Sequence, residues 1–138
     1  MTHLMIPANI FEQMVTQAKA QAPVEACGIL AGRENKVEKL YEMTNADNSS
    51  AHFMLEPEEQ FAVVKDIRSV GLEMLAIYHS HPFTPPRPSQ EDIRLSLTPD
   101  VAYVLVSLKD SCRPSVRSFL IKNGKVTEVP VEILQEQR

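Results

Sequence analysis

Several things this chain lacks narrow its class before any motif is read. It has two cysteines in 138 residues, Cys27 and Cys112, too few for a disulfide framework. Cys27 stands in a small apolar run that suits buried packing, and Cys112 in a turn-like segment that suits exposure. No histidine lies near either in sequence to activate a thiol nucleophile. No stretch approaches the ~20 apolar residues of a membrane span. Residues 1–7 lack the charged start and long apolar stretch of a secretory signal. A cytoplasmic location with no membrane partner is the expectation. Lys and Arg number 14 against 18 Asp and Glu, and they form no basic stripe, which argues against nucleic acid as a partner. Repeats, linkers and low-complexity tracts are also missing, apart from one proline-rich segment.

The remaining composition, 43% apolar and 23% charged, is that of a globular chain, and its length suits a single domain over residues 1–138. Apolar periodicity predicts a helix over 7–21, with Ile10, Met14 and Ala18 spaced at i+4 and Pro7 at its first position. A second is predicted over 57–69, with Phe61, Val64 and Ile67 on one face and Glu56, Glu58 and Glu59 at its start. A short third helix falls over 89–97. Strands are predicted over 26–31, 36–44, 74–79, 101–108, 115–121 and 126–133. Asn123-Gly124 is a hairpin turn, and Pro130 marks the last strand as an edge or a bulge. The order α-β-β-α-β-α-β-β-β gives an α/β (α+β) fold, one sheet with helices on it.

Residues 79–92, HSHPFTPPRPSQED, carry the most chemistry. Alternation along a strand puts His79 and His81 on one face. A loop with Pro82, Pro85, Pro86 and Pro88 then turns the chain back to Ser89 and Asp92. Two imidazoles and a carboxylate are a usual ligand set of a catalytic zinc, which keeps one position for water. Ser89-Gln90-Glu91-Asp92 also fits a helix capping box, and Glu91 rivals Asp92 as a ligand. The proline loop is a stiff connector, a rigid rim holding Asp92 in place, or both. Tyr78 and Phe83 flank the histidines and would pack or line a groove. Arg87 could meet a substrate carboxylate, while His3 and His52 read as surface residues.

His79-x-His81, seven residues, Ser89, two residues and Asp92 resemble the zinc signature of the JAMM (MPN-plus, Mov34) metallopeptidases. That signature includes an upstream glutamate just before a small-residue strand. Glu25, in Pro23-Val24-Glu25-Ala26-Cys27-Gly28, stands in that place. Asn45-Ala46-Asp47-Asn48 and Phe53-Met54-Leu55-Glu56-Pro57 are similar to family landmarks, so the resemblance runs from about Glu25 to Leu108.

The resemblance implies a curved mixed sheet similar to the cytidine deaminase architecture. It implies one Zn²⁺ per chain on His79, His81 and Asp92, with iron or cobalt able to take the same ligands. Glu25 would carry the proton of a zinc-activated water, and Ser89 would donate to the oxyanion. The chain looks like a minimal, stand-alone prokaryotic member. For such a member the implied reaction is hydrolysis of a peptide or isopeptide bond after the C-terminal Gly-Gly of a ubiquitin-like or sulfur-carrier protein, by a monomer or homodimer. An open sheet edge near the metal would pair with the tail, and a narrow groove would favour glycine before the cut. A zinc deaminase typically needs a Cys-x-x-Cys pair, which is missing here. A non-catalytic interaction domain of the same fold is the alternative.

Overall fold

The computed structural model describes residues 1–135. Eleven elements follow in the order β1 (Leu4–Pro7), α1 (Ala8–Gln21), β2 (Cys27–Arg33), β3 (Lys36–Met43), α2 (Pro57–Ser69), β4 (Glu73–His81), α3 (Gln90–Leu95), β5 (Ala102–Ser107), β6 (Ser115–Lys122), β7 (Lys125–Val129) and β8 (Val131–Leu134). The eight strands form one mixed sheet in the order β7-β6-β5-β4-β2-β3-β1-β8. Most pairings are antiparallel, while β4 runs parallel to β5 and β1 runs parallel to both β3 and β8.

That order curls the sheet. β7 and β8 are its two edges, yet they are separated in the chain by Pro130 alone. One residue cannot span an open eight-stranded sheet, so the edges have to approach each other, and β6 does touch β8. The result is a nearly closed mixed sheet, in keeping with the architecture the resemblance implies.

Each face of the sheet has its own core. On one, Ile10 and Met14 of α1 pack with Leu30, Tyr78, Val104 and Val106. On the other, Ile67 of α2 packs with Ile29, Ile77, Tyr103 and Leu105, and Ile93 of α3 joins from the rim. α2 docks through Ile67 and the half-buried Val63, while Phe61 of the predicted apolar face is exposed, and its polar residues fix it as well. Its N-cap Glu56 accepts from the Glu59 amide at 2.8 Å. Glu59 in turn accepts from the amide and hydroxyl of Thr44, both at 2.8 Å.

The structure corrects two strand predictions. Residues 4–7 form β1, and Pro7 is its last residue and the N-cap of α1 rather than the first helical residue. Their partners are β3 and the distant β8, a pairing that no local pattern signals. The single strand expected over 126–133 is two strands divided at Pro130, whose carbonyl accepts from the Leu4 amide at 2.9 Å. Proline has no amide hydrogen for the ladder, and the chain changes edges where the ladder is interrupted. At Asn123 and Gly124 both φ angles are positive, 51° and 76°, as the predicted two-residue hairpin requires.

Candidate metal centre

β4 builds the centre by alternation. Tyr78 points into the α1-side core, while Ile77 faces α2. His79 and His81 follow at the C-terminal end of the strand, 1% and 3% exposed. Their Nε2 atoms stand 3.2 Å apart. The proline-rich loop then returns the chain to Ser89, the N-cap of α3. Asp92 lies in the first turn, with Oδ1 3.2 Å from His79 Nε2 and Oδ2 3.1 Å from His81 Nε2. Among the described residues, these three form a group of donor atoms lying within 4.8 Å of one another.

The donor set and its spacing fit a metal ion. His81 Nδ1–H donates to the Pro85 carbonyl at 2.9 Å, which fixes the tautomer and turns the Nε2 lone pair inward. Two nitrogens on a tetrahedral zinc at 2.0–2.1 Å would stand roughly 3.3 Å apart, close to the separation found here. Burial works against ionising Asp92, yet the neighbouring imidazoles and the Ser89 amide hold its carboxyl well below the usual range. Burial lowers the pKa of His79 against the pull of Asp92. At His81 burial acts the same way, but Asp92 and the Pro85 carbonyl outweigh it and raise the ring's pKa.

The capping box and the metal-ligand pattern coexist. Ser89 Oγ accepts from the Asp92 amide at 3.0 Å, and Asp92 Oδ2 accepts from the Ser89 amide at 2.9 Å. The cap therefore orients Asp92 towards the histidines. It also occupies Ser89 Oγ only as an acceptor, leaving the hydroxyl proton free to donate.

Glu25 sits just ahead of β2 and is 3% exposed. Its Oε1 is buried without a hydrogen-bond partner among the described residues. Desolvation pushes its pKa up to about 8, moderated by the nearby charge of His81 and reinforced by that of Asp92. A buried, unpartnered carboxyl that exchanges its proton near neutrality has the acidity expected of a proton carrier. All five residues singled out in the sequence thus fall in one region, four of them at the end of β4 and the start of α3.

Beside Asp92 opens a groove of about 240 Å³, lined by Phe53, Met54, Ile77, Leu95, Leu97 and Tyr103 among others. Phe53 stacks on His79 with ring centroids 4.4 Å apart. The sequence offered Phe53 only as a landmark, and nothing local announced the stacking. His52 also lines the groove, half-buried, with Nδ1 3.0 Å from Asp47 Oδ2, so it is more than the surface residue expected. Tyr78 packs away from the centre, its hydroxyl donating to Gln17 Oε1 at 2.6 Å. Phe83 and Arg87 are exposed on the proline loop, and Cys27 is buried while Cys112 is exposed. Among the described residues, the expected open sheet edge beside the metal ligands is not found: β4 lies between β5 and β2, and the edge strands are β7 and β8. Among the described residues, no helix is long and apolar enough to cross a membrane.

Comparison with known proteins places this geometry in a family. The family model for prokaryotic homologs of the JAB domain matches residues 7–122. A CysO-cysteine peptidase of Mycobacterium tuberculosis is 39% identical over 135 residues, covering 96% of this chain and 92% of the relative. A desampylase of Pyrococcus furiosus is 29% identical over 130 residues, covering 94% and 90%. Among solved structures, a Desulfitobacterium hafniense protein matches with a TM-score of 0.89 and 40% identity over 96% of this chain and 94% of its own.

Proposed function

Since the chain belongs to the family of prokaryotic homologs of the JAB domain, we propose that it is a metal-dependent peptidase acting on the C-terminal tail of a ubiquitin-like or sulfur-carrier protein. The bond cut follows the terminal Gly-Gly, and the acyl side is the carrier. The observation that carries this reading is a buried, unpartnered carboxyl, Glu25, set beside converging donor atoms of His79, His81 and Asp92. A purely non-catalytic domain would have no use for a carboxyl kept dry and unpaired, since such burial is costly. The relatives named CysO-cysteine peptidase and desampylase support the substrate class.

In this reading His79, His81 and Asp92 hold one Zn²⁺, whose chemistry suits the two-nitrogen, one-carboxylate donor set. When bound, such an ion lowers the pKa of water towards ~7 and polarises a carbonyl. The protein does the rest. Asp92 is oriented by the Ser89 cap, and His81 by the Pro85 carbonyl. Glu25 takes the proton of the attacking water at its carboxylate and returns it to the leaving amine. Ser89 donates its hydroxyl proton to the developing oxyanion. Phe53 and the apolar groove wall exclude water from one side of the reacting carbonyl.

The test is mass-spectrometric. Zinc-loaded protein is mixed with a ubiquitin-like carrier extended beyond its C-terminal Gly-Gly, with Glu25→Ala alongside. The expected result is cleavage after Gly-Gly that the variant loses while it keeps its zinc. Equal cleavage by the variant would remove Glu25 from the mechanism, and no cleavage by zinc-loaded wild type would overturn the substrate class.

A further inference from the structure

The backbone around Glu25 is held by a loop that nothing local in sequence ties to it. The Glu25 amide donates to the Ser49 carbonyl at 2.8 Å. The Glu25 carbonyl accepts from the side-chain amide of Asn45 at 3.1 Å. Asn45 is 6% exposed, and its side chain is fully used. Nδ2 also donates to the His52 carbonyl at 3.0 Å and, more weakly, to the Ser49 carbonyl at 3.4 Å. Oδ1 accepts from the Asp47 and Met54 amides, both at 3.1 Å. The loop is closed on itself by the Ala46 amide donating to the Met54 carbonyl at 2.8 Å and by a bridge between Asn45 and Leu55. This same loop carries Phe53, which stacks on His79, and the groove-lining Asp47, His52 and Met54.

We propose that Asn45 is the positioning residue of the reaction: one buried amide joins the backbone of Glu25 to the groove wall, so that the proton carrier and the substrate groove are set as a unit. This rests on the proposed peptidase reading, in which Glu25 carries the proton. The physical case is the division of labour within a single side chain. The Oδ1 side shapes the loop, and the Nδ2 side reaches across to Glu25 while also holding the His52 carbonyl of the loop. The bond to Glu25 is buried and the others are half-buried, so losing the Asn45 amide strands the Glu25 carbonyl rather than handing it to water. Glu25 itself has no side-chain hydrogen bond at Oε1 to aim it, which leaves its backbone seat as the main control on where the carboxyl points.

Two variants separate the halves. Asn45→Asp keeps an acceptor for the Asp47 and Met54 amides but loses the donors to Glu25 and His52. Asn45→Ala loses both sides. Each is measured for zinc content, for kcat and KM on the extended carrier, and for amide exchange at Glu25. Asn45→Asp is expected to keep one zinc and a KM within about threefold of wild type. Its kcat should fall roughly 10- to 100-fold, the scale of a small misplacement of a catalytic group. Asn45→Ala should lose kcat similarly and raise KM as well, because the groove wall loosens. Glu25 amide exchange should quicken in both, with that of β4 unchanged. Wild-type kcat in Asn45→Asp, or a kcat loss that tracks loss of zinc, would overturn the proposal. If wild type fails to cut the carrier, the peptidase reading falls, and the exchange measurement then decides the structural link alone: unchanged exchange at Glu25 overturns it, and faster exchange sustains it. If Asn45→Ala does not fold, the near-isosteric Asn45→Asp decides the matter by the same criteria.

Discussion

The two faces of β4 carry similar loads of buried polarity and treat it in opposite ways. On the α1 side, Tyr78 is buried and its hydroxyl is paired with Gln17, whose Nε2 in turn donates to the Cys27 carbonyl at 3.0 Å. On the other side, one residue along, His79 leaves Nδ1 without a partner, and nearby Glu25 leaves Oε1 without one. Around Tyr78 the first face meets the usual rule that buried polar groups are satisfied, and only Ser118 Oγ on β6 is left unpaired on that side among the described residues. The second breaks it where donor atoms converge. The unpaired Glu25 carboxyl beside the converging atoms of His79, His81 and Asp92 marks where something outside the chain is meant to bind or react.

The largest effect that would test this contrast lies on the site face. Asp92→Ala removes a carboxylate that serves both as candidate ligand and as half of the α3 cap. Zinc affinity should fall more than about 100-fold, beyond the 10–100-fold expected for an outer partner, and cleavage should vanish. Zinc titration with a competing chelator measures it, and retention of tight zinc binding would dissolve the assignment. A helix slightly destabilised by the lost cap would be a side effect, visible by circular dichroism.

On the packed face the prediction reverses. Tyr78→Phe strands Gln17 Oε1 without its donor, so stability should drop by about 1–3 kcal/mol, with kcat within about twofold of wild type. Denaturant unfolding and the cleavage assay together check it. A large kcat loss at unchanged stability would show that the two faces are not independent. The tightness of this face is visible at Gly28, where an added Cβ would collide with both the Tyr41 backbone carbonyl and the Tyr78 ring, so the close approach of β3 and Tyr78 requires the glycine.

The smallest effect is electrostatic. In the metal-free fold, burial raises Glu25 from 4.5 to about 8. Between those values the folded chain keeps a proton that the unfolded chain has released, so stability falls as pH rises through the window. The chelated wild type should therefore lose stability relative to chelated Glu25→Gln between about pH 5 and about pH 8, with a smaller difference added because the Glu25 charge also raises His81. Urea midpoints at several pH values read this out. Parallel curves would mean that the Glu25 carboxyl is hydrated rather than dry.

Much of this was legible in the chain. The His79, His81, Ser89 and Asp92 spacing is local: a strand end, a stiff loop and a helix start are each encoded within a few residues, so their convergence follows from alternation and capping. Glu25 required the family resemblance, because alone it reads as an ordinary acid after a proline. The fold class was legible from periodicity, whereas β1 was not. Four residues with a partner more than a hundred positions away carry no pattern of their own. Pro130 was read as an edge or bulge, but that it carries the chain from one sheet edge to the other depended on how far the sheet curls. The absence of a free edge at β4 depended on strand order, which alternation does not encode.

By itself, then, the sequence determined which residues have the chemistry and which short segments present them, since donor types, spacing and capping are properties of neighbours along the chain. The tertiary structure decided the environment of those residues. Burial raised Glu25, Asn45 joined it to the groove loop, Phe53 came to lie on His79, and closure of the sheet left β4 in the interior. Each of these is a contact between distant segments, and desolvation and hydrogen-bond satisfaction depend on everything that surrounds a group rather than on what precedes it.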